Sequence, residues 1–195
     1  MNADDSAILK RLAVSGLESC LIKLSKVSAG TWQISNARVF RGMLDEAVKQ
    51  HDFKNPIAVA VYFNIKGEFP FTSVMLFDSN DIECISKCFM SYSCPGALSR
   101  IQSEEVLLLE LGNILLNSLF NSVLNALNKS VMPSVPEYIS GDFRHIVGVL
   151  GAGIDATQSF RIISATLAVK CDKCSSKSEV FAMIPEDLAI ELGRM

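Results

Sequence analysis

Histidine is scarce in this 195-residue chain, which has two, His51 and His145. Neither has a companion Ser, Cys or acid at a recognisable spacing, so a nucleophile triad is unsupported. Positive charge is in short supply as well. Eighteen Lys and Arg face 21 Asp and Glu, giving a net charge of −3 and a pI near 5.4. Nucleic-acid binding, which needs a basic face, is not expected. The start, "MNADDSAILKR", lacks an apolar run before a small-residue cleavage site, so no signal peptide is read there. An uninterrupted apolar run of about 18 residues is missing too, because Glu110, Asn113 and Asn117 break the longest stretch. The expectation is a cytoplasmic protein without membrane insertion. Its six Cys, with no secretion signal, are expected as reduced thiols and not as a disulfide framework.

Metal-ligand patterns are equally thin. Cys171 and Cys174 form one Cys-x-x-Cys pair at a predicted hairpin tip. That supplies two ligands where a structural zinc site needs four. No second pair or neighbouring His is apparent in the sequence, so the expectation is a tip without metal. Cys84 and Cys88, four apart on a predicted helix, read as core or half-buried thiols. The stretch "GVLGAGID" has three Gly but no Gly-Lys-Ser/Thr, and reads as a flexible turn.

What the chain has in quantity is apolar residue, 49% of it, with a mean hydropathy of +0.30, enough for a sizeable core. Ile8, Leu12, Leu17, Leu21 and Leu24 give residues 7–28 a helical spacing. "TWQISNARVF" reads as a strand and residues 41–51 as a short helix. "IAVAVYFNI" and "FTSVMLF" read as a hairpin about "KGEFP", followed by a helix in "SNDIECISKCF" and a connector in "SYSCPGALSR". The second half runs in the same order. A long helix over 103–129 precedes an extended "MPSVPEYIS". "SFRIISATLAVK" and "EVFAMI" make a hairpin whose turn is about four residues longer than the first, and "PEDLAIEL" closes the chain as a helix.

An offset of 99 overlays Leu12 on Leu111, Leu17 on Leu116, Ser19 on Ser118 and Ser35 on Ser134. The expectation is one α/β (α+β) domain over 1–195, internally duplicated with pseudo-twofold symmetry. Its two weak repeats run over about 7–92 and 103–193, with a β-sheet covered by long helices.

The long helix holds the least expected feature. Asn113, Asn117, Asn121, Asn125 and Asn128 sit in a Leu-rich segment, although Asn costs a helix up to roughly 0.7 kcal/mol relative to Ala. At 100° per residue these side chains and Glu110 share one side. A solvated face ordinarily carries Lys, Glu and Gln. Short amides at this density suit a surface that something else approaches closely.

The stretch "LLELGNILLNSLFNSVLNALNKSVMPSVPEYIS" resembles the CheC-type phosphatases of bacterial chemotaxis, which include CheC, CheX and FliY. Their signature is Asp or Ser, three residues, Glu, two residues, Asn, twenty-two residues, Pro. Glu110, Asn113 and Pro136 match it, while the Asp or Ser position holds Val106.

The resemblance implies a phosphatase acting on a phosphorylated CheY-like response regulator. Glu110 would pair with the partner's Lys and Asn113 would orient the attacking water. Asn117, Asn121 and Pro136 would belong to the docking surface. No cofactor of the chain's own is implied, and Mg²⁺ would sit in the phosphorylated partner. A CheD-like deamidase is a further partner the resemblance raises. The offset of 99 puts Arg11 and Val14 where a second Glu and Asn would stand, with Ala37 at the Pro position. The first half is therefore expected to have lost its site. The rival expectation is a docking protein similar to the flagellar-switch relative FliM, which shares the architecture without the catalytic pair.

Overall fold

The computed structural model describes residues 3–50, 54–65, 70–89, 100–126, 132–152, 154, 158–172 and 174–193. The first half runs α1 (Ala3–Val27), β1 (Thr31–Gly42), α2 (Leu44–Lys49), β2 (Ile57–Ile65), β3 (Phe71–Asp78), a 3₁₀ turn and α3 (Ile82–Phe89). The second runs α4 (Arg100–Ala126), β4 (Glu137–Asp142), α5 (Phe143–Gly151), β5 (Phe160–Cys171), β6 (Cys174–Pro185) and α6 (Glu186–Gly193).

Six strands form one antiparallel sheet in the order β1-β5-β6-β3-β2-β4. Exchanging β1 with β4, β2 with β5 and β3 with β6 returns the same order reversed. A pseudo-twofold axis therefore passes between β3 and β6, and each half lends its first strand to the other half's edge. The fold class is α+β, with helices on both faces of the sheet.

Burial explains the strand sequences. β2, β3, β5 and β6 lie inside the sheet with both faces covered, so they read as nearly continuous apolar runs. The edge strands β1 and β4 are mixed in composition and largely exposed. On one face α1, α3, α4 and α6 enclose the larger core, around Val61, Phe63, Met75, Val180 and Ala182. On the other, α2 and α5 cover a smaller core around Ala60, Leu76, Ile162 and Phe181.

The two long helices lie side by side on the larger core. Their burial coincides at the offset of 99: Leu9 with Leu108, Ala13 with Gly112, Leu17 with Leu116, Leu21 with Phe120, Leu24 with Val123. They pack closely because Gly16 admits it. A Cβ there would fall 2.7 Å from Ser122 Cβ, and Ser118 Oγ donates to the Gly16 carbonyl at 2.8 Å. By length and composition α4 could cross a membrane. In this fold its apolar side, from Leu108 to Leu124, is buried against the sheet and α1.

Three sequence expectations are corrected. Residues 143–151 are helix α5, so Gly148 and Gly151 of "GVLGAGID" lie in a helix and not a flexible turn. Asp142 caps it, accepting from the His145 N–H at 2.8 Å. The second hairpin is longer in its strands, not in its turn. β5 and β6 have 12 residues each, against 9 and 8 in β2 and β3. Cys171 and Cys174 are register partners separated by two residues, and Asp172 takes a φ of 45°. Thirdly, Cys84 and Cys174 are joined as a disulfide with Cα atoms 5.8 Å apart, which departs from the expectation of six reduced thiols. The fold brings α3 to the hairpin tip across 90 residues of sequence, which no local pattern reveals. "SYSCPGALSR" up to residue 99, residues 66–69 of "KGEFP", His51 and Asn128 lie outside the described residues.

Candidate functional site

The outward stripe of α4 exists because its inward face is fixed so firmly. Gly112 sits directly over β2, where a Cβ would fall 2.5 Å from Val61 Cγ1. Leu111, Leu115 and Leu116 are buried beside it. With that face down, the residues about half a turn away face out. Glu110, Asn121 and Asn125 are exposed, and Asn113 and Asn117 are half-buried.

Glu110 makes no hydrogen bond or ion pair among the described residues. Asn113, one turn on, is held. Asn117 Nδ2 donates to Asn113 Oδ1 at 2.6 Å and to the Asn113 carbonyl at 2.8 Å. Asn117 was expected on the docking surface; its observed contact is with Asn113. The bond occupies one lone pair of the Asn113 carboxamide oxygen and fixes the amide plane. The second lone pair and both N–H donors stay available.

Pro136 lies half-buried just before β4. β4 pairs with β2 so that Tyr138 opposes Val61, the residue beneath Gly112. The end of β4 that follows Pro136 is thereby laid alongside the strand under the site, and α4 touches β4 directly. Burial pushes the Tyr138 hydroxyl pKa up, and the charge of Glu105 on α4 adds to it. Next to it, Tyr62 donates to Glu137 Oε2 at 2.9 Å. Burial and that carboxylate push Tyr62 up to about 12.

Exposed apolar side chains flank the stripe on α4, and more stand in the segment before β4; neither was part of the sequence expectation. Val106 is 47% exposed and Ile114 46%, one turn to either side of Glu110 on α4. Met132 and Val135, in the segment leading to Pro136, are 87% and 81% exposed. The available signal was Ile114 itself, a β-branched residue next to the polar stripe. On α1, Arg11 is exposed and Val14 half-buried, matching the burial of Glu110 and Asn113 respectively.

Chemically, the arrangement offers an uncommitted carboxylate, a pre-oriented carboxamide one turn away, and exposed Val106 and Ile114 to either side. His145 stands apart from it, exposed on α5 on the opposite face of the sheet. Such a surface can bind a macromolecular partner and position a small polar reactant on it.

No family model matches the chain, and no curated protein matches its sequence. Solved structures do. FliY from Thermotoga maritima superposes with a TM-score of 0.70 at 12% identity, covering 100% of this chain and 96% of that one. The chemotaxis protein CheX from Desulfovibrio desulfuricans gives 0.56 at 14% identity, covering 89% and 99%. A chain of the FliG–FliM complex from H. pylori gives 0.65 at 12% identity, covering 97% and 100%. At these identities the likeness concerns the fold, and it extends over nearly the whole chain: this protein has the CheC-like fold shared by the chemotaxis protein CheX, FliY and one chain of the FliG–FliM complex.

Proposed function

We propose that the chain is an aspartyl-phosphate phosphatase acting on a phosphorylated CheY-like response regulator, with one site on α4. The observation that carries this reading is the Asn117–Asn113 hydrogen bond one turn from the unpaired Glu110. A phosphoryl group moving to water needs little covalent help from a protein, and positioning and electrostatics do most of the work. Glu110 docks to the partner's Lys. Asn113, with its amide plane already set, accepts from the attacking water and donates to a phosphoryl oxygen. Mg²⁺ held by the partner neutralises the phosphate when bound. Asn121, Ile114, Met132, Val135 and Pro136 form the docking surface around the pair.

The first half carries Arg11 and Val14 at the corresponding places and binds no regulator. An Arg there repels the partner's Lys, and Val offers no amide. The second reading is a non-catalytic docking protein for a flagellar-switch component, a response regulator or a CheD-like deamidase. It is favoured by Val106, an exposed apolar side chain where the family signature has Asp or Ser.

Phosphate release from a panel of phosphorylated response regulators distinguishes the two. The phosphatase reading expects acceleration by the wild type and loss of order 10²-fold in Asn113→Ala. Regulator binding without acceleration, or full turnover in Asn113→Ala, overturns it.

A further inference from the structure

We propose that Cys84, Cys88, Cys171 and Cys174, once reduced, form a four-thiolate zinc site that ties α3 to the tip of the β5–β6 hairpin. Two pairs make it up. α3 presents Cys84 and Cys88 at i and i+4, on the same helix face, and Cys88 Sγ approaches the Cys84 carbonyl at 3.3 Å. The hairpin presents Cys171 and Cys174 as cross-strand partners around a two-residue turn.

The two pairs meet. Cys84 is joined to Cys174, and Cys88 and Cys171 are both buried in the larger core. Cys174 Sγ also lies 3.8 Å from the Cys84 carbonyl. The i, i+4 spacing on α3 and the cross-strand pairing at the hairpin tip put Cys88 and Cys171 beside that bond. Three of the four residues are at most 8% exposed, and Cys174 is half-buried.

A Cys-x₃-Cys and a Cys-x₂-Cys brought together from distant segments have the spacing of a closed structural zinc site. With Cys84 and Cys174 oxidised, no group of three or more His, Cys, Asp or Glu among the described residues could hold a metal ion. Disulfide sulfurs are not thiolate donors. Reduction changes the donor set.

A dithiol reductant gives two electrons and two protons to the Cys84–Cys174 bond and leaves as its own cyclic disulfide. Zn²⁺ then replaces the four thiol protons, which go to solvent. Zn–S bonds of about 2.3 Å in a tetrahedron hold the sulfurs about 3.8 Å apart. An all-thiolate set selects a soft ion over Mg²⁺ or Ca²⁺. Half of this set, Cys171 and Cys174, was visible in the sequence as an incomplete site. Cys84 and Cys88 are the missing second pair.

The test uses the full chain, reduced with a dithiol and freed of it under argon. Titration with Co²⁺ and then Zn²⁺ should show one ion per chain. The cobalt form should have the intense charge-transfer and visible bands of a tetrahedral sulfur site, and Zn²⁺ should displace it. Cys88→Ser and Cys171→Ser should each lose those bands. If the reduced wild type takes up no stoichiometric Co²⁺ or Zn²⁺, the proposal falls, whatever the variants do. It also falls if Cys88→Ser and Cys171→Ser bind cobalt with an unchanged spectrum.

Discussion

Asn117 donates its side-chain amide to Asn113 Oδ1 at 2.6 Å, so the residue proposed to orient a water is itself oriented by its neighbour one turn on. This fixes which way the Asn113 carboxamide faces without a bound partner. A water-orienting amide that had to find its plane in each encounter would lose part of the advantage of positioning.

The first prediction concerns Asn117, which the bond makes a positioning residue. Asn117→Ala should lower kcat for phosphate release by about 10- to 100-fold, the scale of a misplaced positioning group. KM and the thermal midpoint should barely move, since the side chain is half-buried and its loss empties no core. A docking role would do the reverse and raise KM at constant kcat. Steady-state kinetics separate the two.

Glu110 is assigned to contact, not chemistry. Glu110→Lys places a cation against the partner's Lys. Affinity for the phosphorylated regulator should fall by about 2 kcal/mol or more, while turnover at saturation stays close to wild type. Calorimetric titration with a stable phosphate-mimic form of the regulator measures this. The same titration should give one regulator per chain, because Arg11 and Val14 stand at the α1 positions. Unchanged affinity in Glu110→Lys would remove the docking role, and two regulators per chain would mean that the α1 face still docks partners.

Much of this fold was readable from periodicity. "IAVAVYFNI" is β2 residue for residue, and "FTSVMLF" is β3 but for Asp78, because strands covered on both faces spell themselves out as β-branched and aromatic runs. The stripe on α4 was readable because a long helix with one buried face leaves the other to 100° geometry. α5 escaped because Gly148 and Gly151 look like breakers. Ile146 and Leu150, four apart and buried, carry that helix onto the sheet, and an exposed Gly148 with nothing within 4 Å does little to oppose it. The offset of 99 from α2, which starts at Leu44, points to the start of α5 at Phe143.

The meeting of Cys84 with Cys174 was not readable at all. It depends on where α3 lies over the sheet, and nothing within a few residues of either cysteine encodes that. The Asn117–Asn113 contact sits between these cases. The i, i+4 spacing allowed it, but the short amide and the family resemblance put Asn117 on the docking surface.

Gly112 supports a stability prediction. Ala at a helical position gains about 1 kcal/mol over Gly, and Ala13 occupies the overlaid position on α1 without difficulty. At 112, however, the new methyl would lie 2.5 Å from Val61 Cγ1 and 2.8 Å from Val61 Cβ. Val61 is fully buried and rigid in χ1. Overpacking of about 1–3 kcal/mol should outweigh the helix gain. Gly112→Ala should therefore be destabilised in urea. Adding Val61→Ala should recover part of the loss, with a favourable coupling energy in the double-mutant cycle. Strict additivity would show that α4 does not approach β2 this closely.

The last prediction is a pH dependence carried by Tyr62. Its hydroxyl donates to Glu137 across the β2–β4 pairing, and burial together with that carboxylate raises its pKa from 10.0 to about 12. A tyrosine loses a proton to become charged, so a raised folded pKa means that the folded state favours the neutral form. Below pH 10 both folded and unfolded chains keep the proton, and the contribution is intact. Between about 10 and 12 the unfolded chain releases its proton while the folded chain holds it, and stability falls with rising pH. Tyr138, also raised, adds to the slope. Tyr62→Phe should be less stable at neutral pH by about 1 kcal/mol, the scale of a lost hydrogen bond. It should also lose stability less steeply than the wild type above pH 10. Denaturation curves for the two proteins at several pH values across that window test this. Parallel loss in both would show that Tyr62 does not hold its proton against Glu137, and the β2–β4 edge beneath the site would then lack the neutral hydroxyl placed there.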